Sequence, residues 1–233
     1  MPRILITGAA GFLGSHLCDR FIAEGYEVVA MDNLITGDLR NLEHLQGLPQ
    51  FSFVHHDVST HIHLNGPLDY ILHFASPASP IDYLKIPIQT LKVGSLGTHN
   101  CLGLALAKNA RILVASTSEV YGTAQYVPMD EGHMLQGQSP YSASKIGADQ
   151  MVRSFYSSFE LPTMTIRPFN TYGPRQSARA VIPTIITQIA SGQRRIKLGA
   201  VTPTRDFNFV ADTVAGFVAA MAARSFGDPI ENS

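Results

Sequence analysis

Thr117, Ser118 and Glu119 stand just beyond an apolar run, Arg111 to Ala115, and Tyr141 and Lys145 follow at a spacing of four residues. A hydroxyl pair, a carboxylate, a phenol and an amine are the parts of a proton-transfer site. If SPYSASKIGADQMVRSFYSSF is a helix, four residues is one turn, and phenol and ammonium share a face. A lysine cation held near a tyrosine hydroxyl favours the phenolate and lowers its pKa toward the range of a working general base. An isolated Tyr-x-x-x-Lys is common, and Tyr141 could simply pack on its helix with Lys145 solvated. The surrounding motifs decide between the two.

They begin at the first residues. Arg3 to Thr7 is a short apolar run, and Gly8, Gly11 and Gly14 follow at once, leading into SHLCDRFIAEG with the apolar spacing of a helix. Strand, glycine turn and helix in that order let the backbone approach a pyrophosphate and aim the helix N-terminus at it. The spacing is GxxGxxG rather than GxGxxG, and such a turn can also be purely structural. The next run, Glu27 to Met31, ends at Asp32, about twenty residues beyond the glycines, where a carboxylate can accept from a ribose 2′-hydroxyl. That carboxylate would repel a 2′-phosphate, and Asn33 and Leu34 offer no compensating cation. The residues therefore point to NAD rather than NADP, the alternative being Asp32 as a turn residue.

The elements that must position these groups alternate in kind. Strand-like runs at 51–54, 70–74, 111–115 and 162–166 are separated by helical stretches, of which Pro87 to Asn109 is the longest. This alternation predicts an α/β fold, a doubly wound parallel sheet of the Rossmann type. The segment from Thr123 to Pro140 reads as a loop between the two halves of the site.

With 233 residues, 45% hydrophobic and 15% charged, the chain can bury a sizeable core as one large domain. A net charge of −1 with no basic cluster removes the electrostatic case for nucleic acid. No apolar run approaches membrane-spanning length, and the apolar start carries the glycine motif rather than a signal peptide, so a cytoplasmic protein is expected. Cys18 and Cys101 fall on predicted helices, outside any metal or redox motif, and read as buried thiols. The crowded HHDVSTHIH could supply imidazoles to a metal, but no cysteine or carboxylate set completes a site; a loop with solvated histidines suffices and no metal is expected.

TGAAGFLGSHL, MDNLITG, HHDV, HFASPAS, ASTSEVYG, YSASK, RPFNTYGPRQ and RDFNFVADTV occur in the order found in the extended short-chain dehydrogenase/reductases, in their nucleotide-sugar epimerase/dehydratase branch. The chain resembles that family over nearly its whole length. The resemblance implies that Gly8, Gly11, Phe12, Leu13 and Gly14 line the pyrophosphate of NAD. It places Asp32 and Asn33 at the adenine ribose with Thr36 and Gly37 close by, Asp57 and Val58 at the adenine, and Ala75 and Ser76 beside the phosphates and inner ribose. Tyr141 becomes base, Lys145 ribose anchor, and Thr117 a partner of the sugar O4. Ser118, Asn170, Arg179 and Arg205 fall to the substrate, the last three near its nucleotide diphosphate; guanidinium suits that task. The alternative, an ordinary surface arginine, fits Arg179 better than Arg205.

In this family oxidation at C4 gives a 4-keto sugar, and Glu119 can then remove the C5 proton so that water leaves C6. Simple 4-epimerases usually carry a small residue there. The first half of the chain is most similar to UDP-glucuronate decarboxylases and the second half to 4,6-dehydratases. YSASKI stands where decarboxylases show YDEGKR, which weights the expectation toward dehydration, ahead of decarboxylation and then 4-epimerisation of a UDP-sugar. Residues 1–168 and 205–233 would form the NAD-binding domain and 169–204, with a helix Val181 to Gly192 and a strand Arg195 to Gly199, a remnant of a substrate-binding subdomain. Family members continue past RDFNFV, so a chain stopping at Ser233 is expected to have an incomplete sugar pocket, or to be an NAD-binding protein without turnover. The helices Pro87 to Asn109 and Ser139 to Phe159 are those the family uses for a dimer contact. Gly94 stands where many relatives have asparagine.

Overall fold

The computed structural model describes residues 1–223; the end of the expected 205–233 segment lies outside the described residues. β1 (Arg3–Thr7) runs through the glycine turn into α1 (Phe12–Ala23), followed by β2 (Glu27–Asp32), β3 (Phe51–His55) and β4 (Tyr70–His73). Helices α2 (Pro80–Lys85), α3 (Pro87–Lys92) and α4 (Thr98–Lys108) lead to β5 (Arg111–Ala115). Then come α5 (Pro140–Phe159), β6 (Thr163–Ile166), β7 (Asn170–Tyr172), α6 (Val181–Ala190), β8 (Phe207–Phe209) and α7 (Val210–Ala222). The main sheet is parallel throughout, in the order β3-β2-β1-β4-β5-β6. Its order reverses beside β1, so that the crevice above β1 and β4 is the natural ligand site.

Strands β1, β2, β4 and β5 read as nearly continuous apolar runs because both faces of the sheet are covered. One face packs Ile4, Ile6, Val28, Leu72 and Leu113 against Leu17 and Phe21 of α1 and Phe217 of α7. The other packs Leu5, Val29, Ile71 and Ile112 against Cys101 and Leu102 of α4 and Val152 of α5. Both cysteines are buried and free.

Three elements differ from expectation. The long helix over Pro87 to Asn109 is interrupted by a π-helical turn, Val93–Gly97. Its two glycines allow close approach: a Cβ at Gly94 would lie 2.4 Å from Ser144 Cβ, and one at Gly97 2.9 Å from Val58 Cγ2. Arg195 to Gly199 forms no strand, because the Gln188 side chain takes both backbone groups of Lys197, donating to its carbonyl at 3.0 Å and accepting from its N–H at 2.8 Å. RDFNFV instead contributes β8, which pairs in parallel with β7 as a separate two-stranded ribbon. No helix among the described residues is long and apolar enough to cross a membrane.

His73, at the end of β4, is fully buried. Thr7 Oγ1 accepts from the Phe74 and Ala75 N–H groups and so has its proton to donate to His73 Nδ1, 2.8 Å away. Burial, reinforced by the nearby Lys145 cation, pushes the imidazole pKa down to about 3 from 6.5. Below pH 6.5 the unfolded chain binds a proton here that the native state refuses. His73 thus contributes stability above that pH, lost as pH falls toward 3 at up to about 1.4 kcal/mol per pH unit. Urea unfolding at pH 7 and pH 5 should show this slope reduced by about one proton in His73→Phe; equal slopes would refute the assignment.

Candidate active site

The glycine turn is built so tightly that only glycine fits. Gly8 has φ +69°, and a Cβ there would meet Ala75 N at 2.7 Å; at Gly14 a Cβ would meet Gly8 O at 2.1 Å. Above this turn lies a cavity of about 350 Å³. Its floor is Gly8, Gly11, Phe12, Leu13 and Gly14; one flank is Asp32, Asn33, Thr36, Gly37 and Val58; the other is Ala75, Ser76, Thr117, Glu119, Tyr141 and Lys145. Ser118 and Asn170 also reach it. The two motifs that the sequence separates by about a hundred residues therefore face one space.

Asp32 is buried at the tip of β2, its Oδ2 accepting from Ala10 N at 3.0 Å and its Oδ1 from Leu34 N at 2.8 Å. Burial raises its pKa, opposed by these backbone hydrogen bonds. The carboxylate is thus fixed against the glycine turn. Asp57 does not line the cavity: its carboxylate is engaged by Ser59 and by Gln89 Nε2, and it holds the loop from which Val58 and His56 reach the cavity wall.

On the opposite flank Ser139 caps α5 in a reciprocal capping box with Ser142, which sets the start of the helix one residue before Tyr141. Tyr141 and Lys145 are both buried, 7% and 3% exposed, with Lys145 Nζ 5.8 Å from the centre of the tyrosine ring. Lys145 Nζ donates to Ala115 O at 2.7 Å. Thr117 caps the short turn Ser118–Tyr121, accepting from Glu119 N, and interacts with the Tyr141 phenol. Tyr83 of α2 lies parallel to the Tyr141 ring at 5.7 Å, a neighbour that no spacing in the sequence announces.

The expectation of an acidified tyrosine is corrected. The Tyr141 phenol is raised above 10, first by burial and then by the Glu119 charge, against which Thr117 works. Burial pushes Lys145 down to about 8, with Asp149 resisting. Glu119 is itself raised by burial, partly offset by Arg205. In this cavity burial and the Glu119 charge set the direction for the phenol, and Lys145 is not among the charges acting on it.

The two arginines stand apart from the cavity lining. Arg179 makes a bidentate pair with Asp82, at 2.8 and 2.6 Å, and is a tie between the α6 approach and α2. Arg205 is exposed and donates to Thr204 O, near enough for its charge to act on Glu119. His56 is the one histidine of HHDVSTHIH on the cavity wall, and no cluster of potential metal ligands occurs among the described residues. Asp149, Arg167 and Tyr121, beneath Lys145, were not singled out by sequence; a buried acid one turn beyond the lysine was their only signal.

Residues 5–230 match the profile of the GDP-mannose 4,6-dehydratase family. UDP-glucuronic acid decarboxylase 1 of Xenopus tropicalis is 40% identical over 99% of the chain and 57% of its own length, and decarboxylase 3 of Arabidopsis thaliana is 38% identical over 97% of the chain and 68% of its own. The chain thus spans a little over half of the frog protein. A dTDP-glucose 4,6-dehydratase from Streptomyces venezuelae, solved with NAD bound, superposes with a TM-score of 0.87 at 28% identity, over 97% of this chain and 73% of that one. A Bacillus cereus UDP-glucuronic acid 4-epimerase, solved with UDP-glucuronic acid and NAD, gives 0.83 at 27%, over 96% and 74%.

Proposed function

Since the chain belongs to the GDP-mannose 4,6-dehydratase family, within the extended short-chain dehydrogenase/reductases, we propose that it is an NAD-dependent enzyme that converts a UDP-sugar through a 4-keto intermediate. The observation that carries this reading is the convergence of Thr117, Glu119, Tyr141 and Lys145 on a cavity floored by a turn with no room for a side chain at Gly8 or Gly14. A pure binding module has no chemical need of the four.

NAD fits the residues present. Gly8 and Gly14 leave a cradle that a Cβ would fill, and the fixed Asp32 carboxylate suits a ribose diol and repels a 2′-phosphate. Ser76 and Lys145 would hold its inner ribose. When bound, NAD supplies a hydride acceptor at the sugar C4. Tyr141 would take the proton of the 4-hydroxyl, Thr117 would hold O4, and Asn170 and Arg205 would face the diphosphate.

Decarboxylation of UDP-glucuronate is our first reading. A C6 carboxylate is β to a C4 ketone and leaves as carbon dioxide, its bonding electrons passing to the ketone as an enolate. Glu119, which lines the cavity beside Tyr141, can deliver a proton to C5. This reverses the weight placed on dehydration from residues of the second half, because the decarboxylases resemble the chain over 97–99% of it. Dehydration remains the second reading, favoured by YSASKI and by the Streptomyces structure; there Glu119 takes the C5 proton and water leaves C6. We further infer a homodimer through α3 and α5, whose exposed Ile88, Leu91 and Phe159 suit a helical contact.

Incubation with NAD and a panel of UDP, dTDP and GDP sugars, followed by product mass, separates the readings. Loss of carbon dioxide from UDP-glucuronate is the expected result, and loss of water from a UDP-hexose would install the dehydratase. Binding of NAD by calorimetry with no change in any sugar would leave a dinucleotide-binding protein without turnover.

A further inference from the structure

Asp149 lies two turns beyond Tyr141 and one beyond Lys145 on α5, so the three side chains descend one face from the cavity into the protein. It is 6% exposed. Arg167, just after β6, donates to Asp149 Oδ2 from Nε at 2.9 Å, with Nη2 also 2.9 Å from that oxygen, and the Ser116 hydroxyl acts on the same buried carboxylate. Arg167 is in turn held by Tyr121: its Nη1 donates to the phenol oxygen at 3.1 Å, and its guanidinium centre lies 5.3 Å from the ring. A buried ion pair is a poor device for stability alone, since apolar residues of similar volume often do as well. Placing a carboxylate under a buried amine has a chemical use.

We propose that Asp149 is a positioning residue for the proposed reaction: clamped by Arg167 and Tyr121, its carboxylate keeps the Lys145 amine in its cationic form beneath Tyr141. The inference rests on the reading that Lys145 serves Tyr141. Lys145 has one fixed acceptor, Ala115 O, and a cation needs a counter-charge that the apolar surroundings do not give. The other charged or titratable groups around the pair are few. His73 approaches from β4 and is held neutral by burial. Tyr141 and Tyr83 present phenols, and Glu119 stands on the far side of Tyr141 and acts on that phenol. Asp149 is the carboxylate placed to act on Lys145, and Arg167 favours its ionised form against burial.

The two members of the clamp should move Lys145 in opposite directions, which a merely structural role would not do. Asp149→Asn leaves the Arg167 charge unopposed and should lower the Lys145 pKa from about 8 by roughly one unit or more. Arg167→Gln removes a positive charge from beside the Asp149–Lys145 pair and should raise it. The readout is a pH titration of the lysine Nζ by heteronuclear NMR on ¹⁵N-lysine-labelled full chain, assigned through Lys145→Arg, and it needs no turnover. In parallel, the alkaline limb of the rate profile with the sugar identified above should move acidward in Asp149→Asn and return in Asp149→Glu. An unchanged lysine titration in folded variants overturns the proposal, even where the enzyme turns over. Opposite shifts without turnover of any sugar uphold the clamp and refute the enzyme reading. If Asp149→Asn does not fold, the upward shift in Arg167→Gln carries the test, and its absence is refutation.

Discussion

Tyr141→Phe should lower turnover of the nucleotide sugar by roughly 10²- to 10⁴-fold, the range for losing a positioned general base, while leaving NAD binding by calorimetry nearly unchanged. The substitution removes one oxygen at the cavity wall and nothing from the glycine floor or Asp32. The ring keeps its stacking on Tyr83 and its place on the capped helix, so the loss would be chemical rather than structural. The pH dependence sharpens the test. With no ligand bound, burial and Glu119 hold the phenol above its ordinary value, so at neutral pH the base must be generated in the complex, where positive charge beside it favours phenolate. Lys145, pushed down to about 8, supplies that charge only below this pH. Wild-type activity should therefore fall at alkaline pH as the lysine deprotonates. Comparable turnover by Tyr141→Phe and wild type would remove Tyr141 from the role of base.

How much of this could be read from the chain depended on whether the signal was local. The sheet was legible because each buried strand is its own apolar run, and the glycine turn because three residues without side chains leave a mark within seven positions. Tyr141 and Lys145 were legible as a pair since α5 brings them together by its own geometry. What was missed is tertiary. Arg179 looks like a phosphate ligand until Asp82, ninety-seven residues away, is seen to hold it. Asp57 is spent on its own loop and Gln89. The π-helical turn follows from how closely Gly94 meets Ser144 on another helix. The acidified tyrosine was expected from the Lys145 charge alone, and spacing carries no information about desolvation, the first cause of its raised pKa.

The same crowding makes Gly14→Ala the most damaging small substitution on the cofactor side. Its Cβ would stand 2.1 Å from Gly8 O and 2.8 Å from Ala9 Cα, and backbone atoms cannot swing aside as a flexible side chain would. Relief requires the start of α1 to withdraw from the turn after β1. That shift would break the Ser15 N–H donation to Gly11 O and pull the helix N-terminus away from the cavity floor. Overpacking alone costs about 1–3 kcal/mol, and the displaced helix end would no longer present its N–H groups to a pyrophosphate. NAD affinity measured by calorimetry should fall at least tenfold, with a lowered thermal midpoint, whereas Gly103→Ala on α4, where a Cβ meets nothing within 4 Å, should lower neither. Since Gly103 lies inside a helix, the midpoint of that variant should hold or rise, and the comparison separates a tight floor from a general intolerance of added methyl groups. Unaltered NAD affinity in Gly14→Ala would show that the floor of the cavity is not where the dinucleotide phosphates rest, and with it the placement of the sugar against Tyr141 would fail.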